Sequence, residues 1–357
     1  MLTFIYTHPY LIGLIAFALG ALFMPVVLKV AEAKHLVVRP NKRMSHTGEV
    51  PNIGGLDICF SFLLTYLIFE FNTLQQSQFL LIGVFAIMMV GFVDDILILP
   101  PLTKLLCELA AGVALISFAD IRLTHLHGFL GIEVLPDVWS YVLSFFVLAA
   151  IINAINLIDG VDGLASGLGM LYCSFFGAWF YLAGDAPWCI LAICLVGSLA
   201  VFFCYNVFGG QRTKIFMGDS GSLLVGYMLT AFVFRFCEMN AYETLPEWLH
   251  MSAAPAVAIS VLSVPIFDTL RVSLARIRNH KSPFQPDKNH IHHLLLATGL
   301  NHIHTTAVLL CVSVLLIGVG ILGRNWNMLL LVFIDALIYA AVTLLIKLRI
   351  KQTNVKH

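Results

Sequence analysis

The stretch Asn153-Ala-Ile-Asn156-Leu-Ile-Asp159-Gly160-Val-Asp162-Gly163-Leu-Ala165 joins two apolar runs, 138–152 and 164–182, that read as membrane spans. Two carboxylates and two amides are thereby placed in a turn at a membrane boundary. A glycine follows each aspartate, which lets the backbone take φ > 0 and approach a ligand closely. A plain helix connector requires neither feature. The simpler alternative is a loop whose Asp162 caps the next helix. It serves any one of these residues but not the four together, because further carboxylates gather at the same membrane face.

Composition sets the frame around that stretch. The 357 residues are 60% hydrophobic and 11% charged, against about 25% charged in soluble domains. The mean hydropathy is +0.93. The class is therefore an all-α, polytopic integral membrane protein, with residues 1–357 forming a single transmembrane domain. The eight cysteines lie mostly in apolar runs and form no Cys-x-x-Cys pair, which excludes a zinc ribbon or a disulfide framework. The N-terminus lacks a basic region and a small-residue cleavage site, so its first apolar run is expected to be a retained span.

Apolar runs against polar punctuation predict eleven transmembrane helices, at 9–30, 53–71, 78–97, 102–119, 138–157, 163–182, 189–206, 221–238, 252–272, 304–323 and 328–347. Every Lys and Arg except Arg122, Arg235 and Arg324 then falls on one side. Cytoplasmic loops carry that excess, so the topology is N-out and C-in. The cytoplasmic loops are 31–52, 94–104, 157–163, 207–220 and 273–303. Outside, residues 120–137 alternate in polarity, with Gly128 and Gly131 at a turn, and predict a small periplasmic hairpin. Residues 239–251, with Glu243, Glu247 and Trp248, read as an interfacial segment.

The cytoplasmic face collects the chemistry. Asp94, Asp95, Asp159, Asp162 and Asp219 all stand at the inner ends of spans, where carboxylates are costly and usually have a functional partner. A hard divalent cation suits them: Mg²⁺, or Mn²⁺, takes one or two carboxylates with substrate phosphate and water. Lys104, Lys214, Arg271, Arg276, Arg278, Lys281 and the histidines of His290-Ile-His292-His293 suit a polyanionic substrate. Metal, cations and carboxylates together are the means of phosphoryl transfer. The segment Met217-Gly218-Asp219-Ser220-Gly221-Ser222 starts a helix, whose N-terminus favours phosphate. No G-x-x-x-x-G-K-[ST] loop is present, which excludes a P-loop enzyme. The histidine group lacks the fourth ligand that a zinc site needs. Asp335 sits alone in the last span, where a polar group of a neighbouring helix is the expected partner. A transporter or lipid flippase is the other class, but it predicts charges at the midplane and repeated halves, neither of which is visible.

Taken in order, these motifs resemble the polyprenyl-phosphate N-acetylhexosamine-1-phosphate transferases, of the WecA type more than the MraY type. The likeness is carried by Pro40-x-x-Arg43-x-x-His46 with Pro51-x-x-Gly54-Gly55, by Asp94-Asp95, by the opening stretch, by Phe216-Met-Gly218-Asp219-Ser220-Gly221-Ser222, and by Asp287-x-Asn289-His290-Ile-His292-His293. Ile98 stands where the MraY type has a lysine. The resemblance implies that undecaprenyl phosphate attacks the β-phosphorus of a UDP-N-acetylhexosamine, most readily UDP-GlcNAc, and that UMP is released. A modified sugar such as a 6-deoxy form is the alternative donor.

The resemblance also implies roles. Asp94, Asp95 and Asp159 fall in the catalytic set, and Asp219 and Asn156 on the Mg²⁺ ligands. Uracil lies near Gly160 and Asp162, stacked on Phe216 with Asn206 close by, and Asn153 falls among the substrate-binding residues. Lys104 faces phosphate, His290, His292 and His293 hold pyrophosphate or sugar, and His46 falls among the substrate-binding residues. The implied location is the bacterial cytoplasmic (inner) membrane, with the site facing the cytoplasm and a homodimer as the assembly. The product would initiate a lipid-linked glycan such as O-antigen or capsule.

Overall fold

A chain crossing hydrocarbon has no water to satisfy its backbone, so each apolar run must close its own hydrogen bonds as a helix. The computed structural model describes residues 8–38, 50–70, 74–129, 131–241, 245–281 and 289–354, and is helical in this way nearly throughout. Helix α1 is Tyr10–Ala33, and its 24 residues extend about 36 Å at 1.5 Å each. Then come α2 (Gly54–Glu70), α3 (Leu74–Leu97), α4 (Pro101–Val113, continued by a π-helical turn at Ala114–Phe118), α5 (Asp137–Ile158), α6 (Leu164–Leu182) and α7 (Ala186–Phe208). The chain closes with α8 (Gly218–Ala241), α9 (Ala254–Val261), α10 (Ser263–Arg278), α11 (Ile291–Ala297), α12 (His302–Leu322) and α13 (Met328–Asn354).

Each expected span thus meets a helix or a broken pair. Eight helices are long and apolar enough to cross a bilayer, and nine spans result if the bent pair counts as one. Over the other two expected spans, α2 has only 17 residues, and α6 is diluted by Ser166, Gly167, Gly169, Ser174 and Gly177. The span expected at 252–272 is a bent pair, α9 and α10, which meet at 81°. Pro265 explains the break. It has no N–H to continue α9, yet it is accommodated in the first turn of α10.

Helix α8 is the axis of the bundle. Its membrane-length window is 94% buried, against 28–61% for the other spans. Protein surrounds it on all sides, with α3, α5, α2 and α6 packed against it, so it needs no lipid-facing stripe. Aromatic rings fill one flank: Phe176 lies 5.6 Å from Phe236 and Trp179 lies 4.7 Å from it, both edge-on. The outermost helices instead expose Leu14 and Leu22 on α1, and Leu337 and Leu344 on α13.

Two small antiparallel pairs complete the fold. β3 (His125–Phe129) and β4 (Ile132–Val134) form the hairpin expected at 120–137, turning through Gly128 and Gly131. β1 (Val37–Val38) pairs with β2 (Val50–Pro51), and β2 hands the Phe216 N–H a carbonyl at 2.8 Å. The Pro40 and Arg43 block, with His46 between these strands, lies outside the described residues, as do Glu243 and Asp287. Asp335 has the partner expected of it: Ser260 Oγ donates to its Oδ2 at 2.5 Å, and both residues are fully buried.

Candidate active site

Helix ends from four elements meet at the basic end of the bundle. The end of α3 supplies Asp94 and Asp95, the first turn of α4 Lys104, the last turns of α5 Asn153 and Asn156, and the start of α8 Asp219. The approach is close. A Cβ on Gly91 would stand 2.5 Å from the Asp219 backbone, so glycine is required where α3 crosses α8. Between α5 and α6, the cap position of α6 is Gly163, at φ 75°. The alternative in which Asp162 caps that helix is not the one that forms.

Lys104 is the hub of the cluster. Its Nζ lies 2.9 Å from Asp94 Oδ2 and 2.8 Å from Asp219 Oδ2, and donates to Asn156 Oδ1 at 3.3 Å. Asn156 Nδ2 donates to Asp219 Oδ1 at 2.6 Å and to Ser222 Oγ at 2.9 Å. The two members of the acidic pair differ. Asp94 faces Lys104 and accepts the Leu99 N–H at 2.6 Å. Asp95 accepts the N–H groups of Asp219 at 2.7 Å and Ser220 at 3.1 Å, and the Asn52 amide at 2.9 Å. The N-terminus of α8, expected to bind phosphate, is therefore closed by the Asp95 carboxylate.

A second group surrounds Asp162. Lys214 Nζ is 2.7 Å and His302 Nδ1 2.9 Å from its Oδ2. Burial pushes this carboxyl up, but the hydrogen bonds from His302 and Lys214 outweigh it and hold it below the usual carboxylate range. Lys214 Nζ also stands 6.0 Å over the Phe216 ring. Asn206 joins the two loops: it accepts the Gly163 N–H at 2.6 Å and donates to the Ile215 carbonyl at 2.8 Å. Both functions of that amide are thus committed to backbone. Between the two groups, the half-buried Asp159 carboxyl makes no hydrogen bond or ion pair among the described residues. Burial, with the charges of Asp219, Asp95 and Asp162, pushes its carboxyl up to about 7.

The histidines form a third group against the same loop. A Cβ on Gly160 would meet His292 Nε2 at 2.5 Å, so this glycine admits the imidazole. His292 is buried with Nδ1 unpartnered, and burial pushes its pKa down to about 3; the ring is neutral at pH 7. His290 stacks on it at 5.8 Å and His293 tilts over it at 4.2 Å. Two functional neighbours escaped the sequence reading. One is His302, which opens α12 directly after its cap residue Asn301. The other is Glu108, fully buried and holding Asn153 Nδ2 at 2.7 Å. Glu108 lies one turn beyond Lys104, and that i, i+4 acid–base spacing in an apolar helix was the available signal.

The donor set suits a hard cation. The ligand atoms that Asp219, Asn156 and Asp159 offer are carboxylate and amide oxygens. Among the described residues no three His, Cys, Asp or Glu side chains form a ready cluster, but Mg²⁺ needs only one or two protein carboxylates when a substrate phosphate and water complete its shell.

Comparison with known proteins bears on this arrangement. The family model described as glycosyl transferase family 4 matches residues 77–236, from α3 to α8. A protein of Bacillus subtilis (strain 168) named probable undecaprenyl-phosphate N-acetylglucosaminyl 1-phosphate transferase is 30% identical over 283 residues, covering 78% of this chain and 74% of the relative. Proteins named undecaprenyl-phosphate alpha-N-acetylglucosaminyl 1-phosphate transferase are similar over more of their length. That of Yersinia pestis is 28% identical over 92% of this chain and 89% of its own, and that of Escherichia coli O157:H7 is 28% identical over 90% and 88%.

Proposed function

The chain belongs to the polyprenyl-phosphate N-acetylhexosamine-1-phosphate transferases of glycosyl transferase family 4, and on that premise we propose that it moves GlcNAc-1-phosphate from UDP-GlcNAc to undecaprenyl phosphate. The observation that carries the proposal is the hub in which Lys104 touches Asp94, Asp219 and Asn156 at once, set at the end of the bundle where Lys and Arg concentrate. By the positive-inside rule that end faces the cytoplasm, where nucleotide sugars are found. The membrane is then the bacterial inner membrane, and the product starts a lipid-linked glycan.

In the reaction an oxygen of the lipid phosphate attacks the β-phosphorus. The bond from that phosphorus to the bridging oxygen breaks, and the electron pair leaves with UMP. The attacking phosphate is mostly dianionic at pH 7, since its second pKa is about 6, so the protein has little deprotonation to perform. Its task is to hold two anions together. Lys104, pinned between Asp94 and Asp219, offers a fixed cation with little freedom to lose when a phosphate arrives. Asp219 and Asn156 would hold Mg²⁺, which supplies charge neutralisation at the pyrophosphate when bound. Asp159 adds a carboxyl able to change protonation near pH 7. Lys214, His302, Asp162 and Phe216 receive the uridine end, and His290, His292 and His293 the pyrophosphate or sugar.

The test is UMP release from purified protein given undecaprenyl phosphate, Mg²⁺ and a panel of UDP-sugars. The expected result is release with UDP-GlcNAc that EDTA abolishes. UMP with none of the donors, from folded protein, overturns the reading and favours transport.

A further inference from the structure

Asp268 is a heavily bonded carboxylate that none of the family motifs contains. It lies on α10, just past the break at Leu262, and is 1% exposed. Its Oδ1 accepts from Arg271 Nη2 at 2.7 Å, from the Ile291 N–H at 2.9 Å and from the Tyr339 hydroxyl of α13 at 3.1 Å. Its Oδ2 meets His290 Nδ1 at 2.7 Å. His290 is itself 4% exposed. Arg271 also donates to the Asn289 carbonyl. One carboxylate therefore fixes the backbone on either side of His290 and one nitrogen of its ring.

The consequence for the imidazole is specific. A carboxylate only accepts hydrogen bonds, so Nδ1 must carry the proton. Nε2 is then the nitrogen left for a ligand: an acceptor in the neutral ring, a second donor in the charged one. The ring is also held parallel to His292, with an interplanar angle of 10°, and His292 presses on Gly160 of the aspartate loop. A histidine free to flip would present either nitrogen.

We propose that Asp268 is a positioning residue for the transfer reaction. It acts through His290, setting its tautomer and ring plane so that Nε2 is presented to the anionic groups of the nucleotide sugar. The break between α9 and α10 serves this end, since α10 leaves the line of α9 there and carries Asp268 to the histidine segment. This inference rests on the transferase reading above. The same contacts also admit a purely architectural role, in which Asp268 only fastens α10, α11 and α13 together, so the test must separate the two.

The experiment is a double-mutant cycle on purified protein in detergent, reading UMP release with kcat and KM resolved. The variants are Asp268→Asn, His290→Ala and the two combined. An asparagine can turn its NH₂ toward Nδ1 and so permit the other tautomer. The expected result is a fall in kcat of about 10–100-fold for D268N, the range typical of a residue that orients a functional histidine. In the His290→Ala background the same substitution is expected to change kcat less than about 2-fold, because residues acting as a unit are not additive. ¹⁵N-histidine spectra give the independent signature: one ring with a protonated Nδ1 in the wild type, and a mixed or reversed pattern in D268N. If D268N is not recovered folded, Asp268→Glu replaces it in the cycle, since it keeps the charge and displaces it by one methylene. An equal loss with and without His290, or an unchanged tautomer, overturns the proposal. Absence of UMP release by the wild type fails the transferase reading instead, and leaves the tautomer measurement standing.

Discussion

The Asp95 carboxylate accepts the backbone N–H of Asp219 at 2.7 Å, so one acidic residue closes the helix that carries another. Its second oxygen takes the next N–H, from Ser220. This is helix capping performed across the fold, and a lost cap is worth about 0.5–2 kcal/mol. Asp95→Ala is therefore expected to unfold more readily than Asp95→Asn, by about 1 kcal/mol, since the amide oxygen still accepts one N–H. Thermal unfolding in detergent measures the difference. Equal stability of the two variants would show that the caps carry no weight.

Lys104 leads to a second expectation. It neutralises Asp94 and Asp219 and shares the Asp219 carboxylate with the proposed metal. Lys104→Met is expected to lower kcat/KM by about 100-fold or more, roughly 2.7 kcal/mol. The Mg²⁺ concentration for half-maximal rate should not rise, because the competing cation is gone. A large rise in that concentration, with kcat intact, would place Lys104 in metal retention rather than in catalysis.

Asp159 gives the pH dependence. Burial, then its carboxylate neighbours, raise it to about 7, from about 3.9 in the unfolded chain. A raised carboxyl stabilises the fold in its protonated form. Its contribution is full below about pH 4 and is lost as pH climbs to about 7. In EDTA the wild-type unfolding temperature should therefore fall relative to Asp159→Asn between those limits and run parallel above them. Parallel curves throughout would mean that Asp159 titrates as an ordinary aspartate.

His302 contacts Asp162 at 2.9 Å and was invisible in the sequence. His302→Ala is expected to raise KM for the nucleotide sugar about 3–10-fold, the size of one ordinary hydrogen bond, with kcat within about 2-fold. Unchanged KM would confine His302 to holding the start of α12.

The gathering of Asp94, Asp95, Asp159, Asp162 and Asp219 was legible because carboxylates at span ends stand out against apolar sequence. Their division of labour was not. Adjacent residues on a helix point about 100° apart, and only the packing of α3 against α8 decides that Asp94 meets Lys104 while Asp95 meets a helix end. Hydropathy, blind to direction, found the span at 252–272 but not its bend, for which Pro265 was the cue. Asn206 read as a ligand group, yet its amide ties Gly163 to Ile215, and such a long-range backbone clamp has no local pattern. Glu108, a single acid within an apolar helix, escaped the reading because its partner Asn153 comes from another helix.

The central claim is that phosphate moves with the sugar. UDP-GlcNAc labelled with ³²P at the β-phosphate, incubated with the protein, Mg²⁺ and undecaprenyl phosphate, tests it directly. Label is expected in the lipid fraction, with unlabelled UMP in the water phase. Label retained in water-soluble UDP, with sugar alone on the lipid, would contradict it.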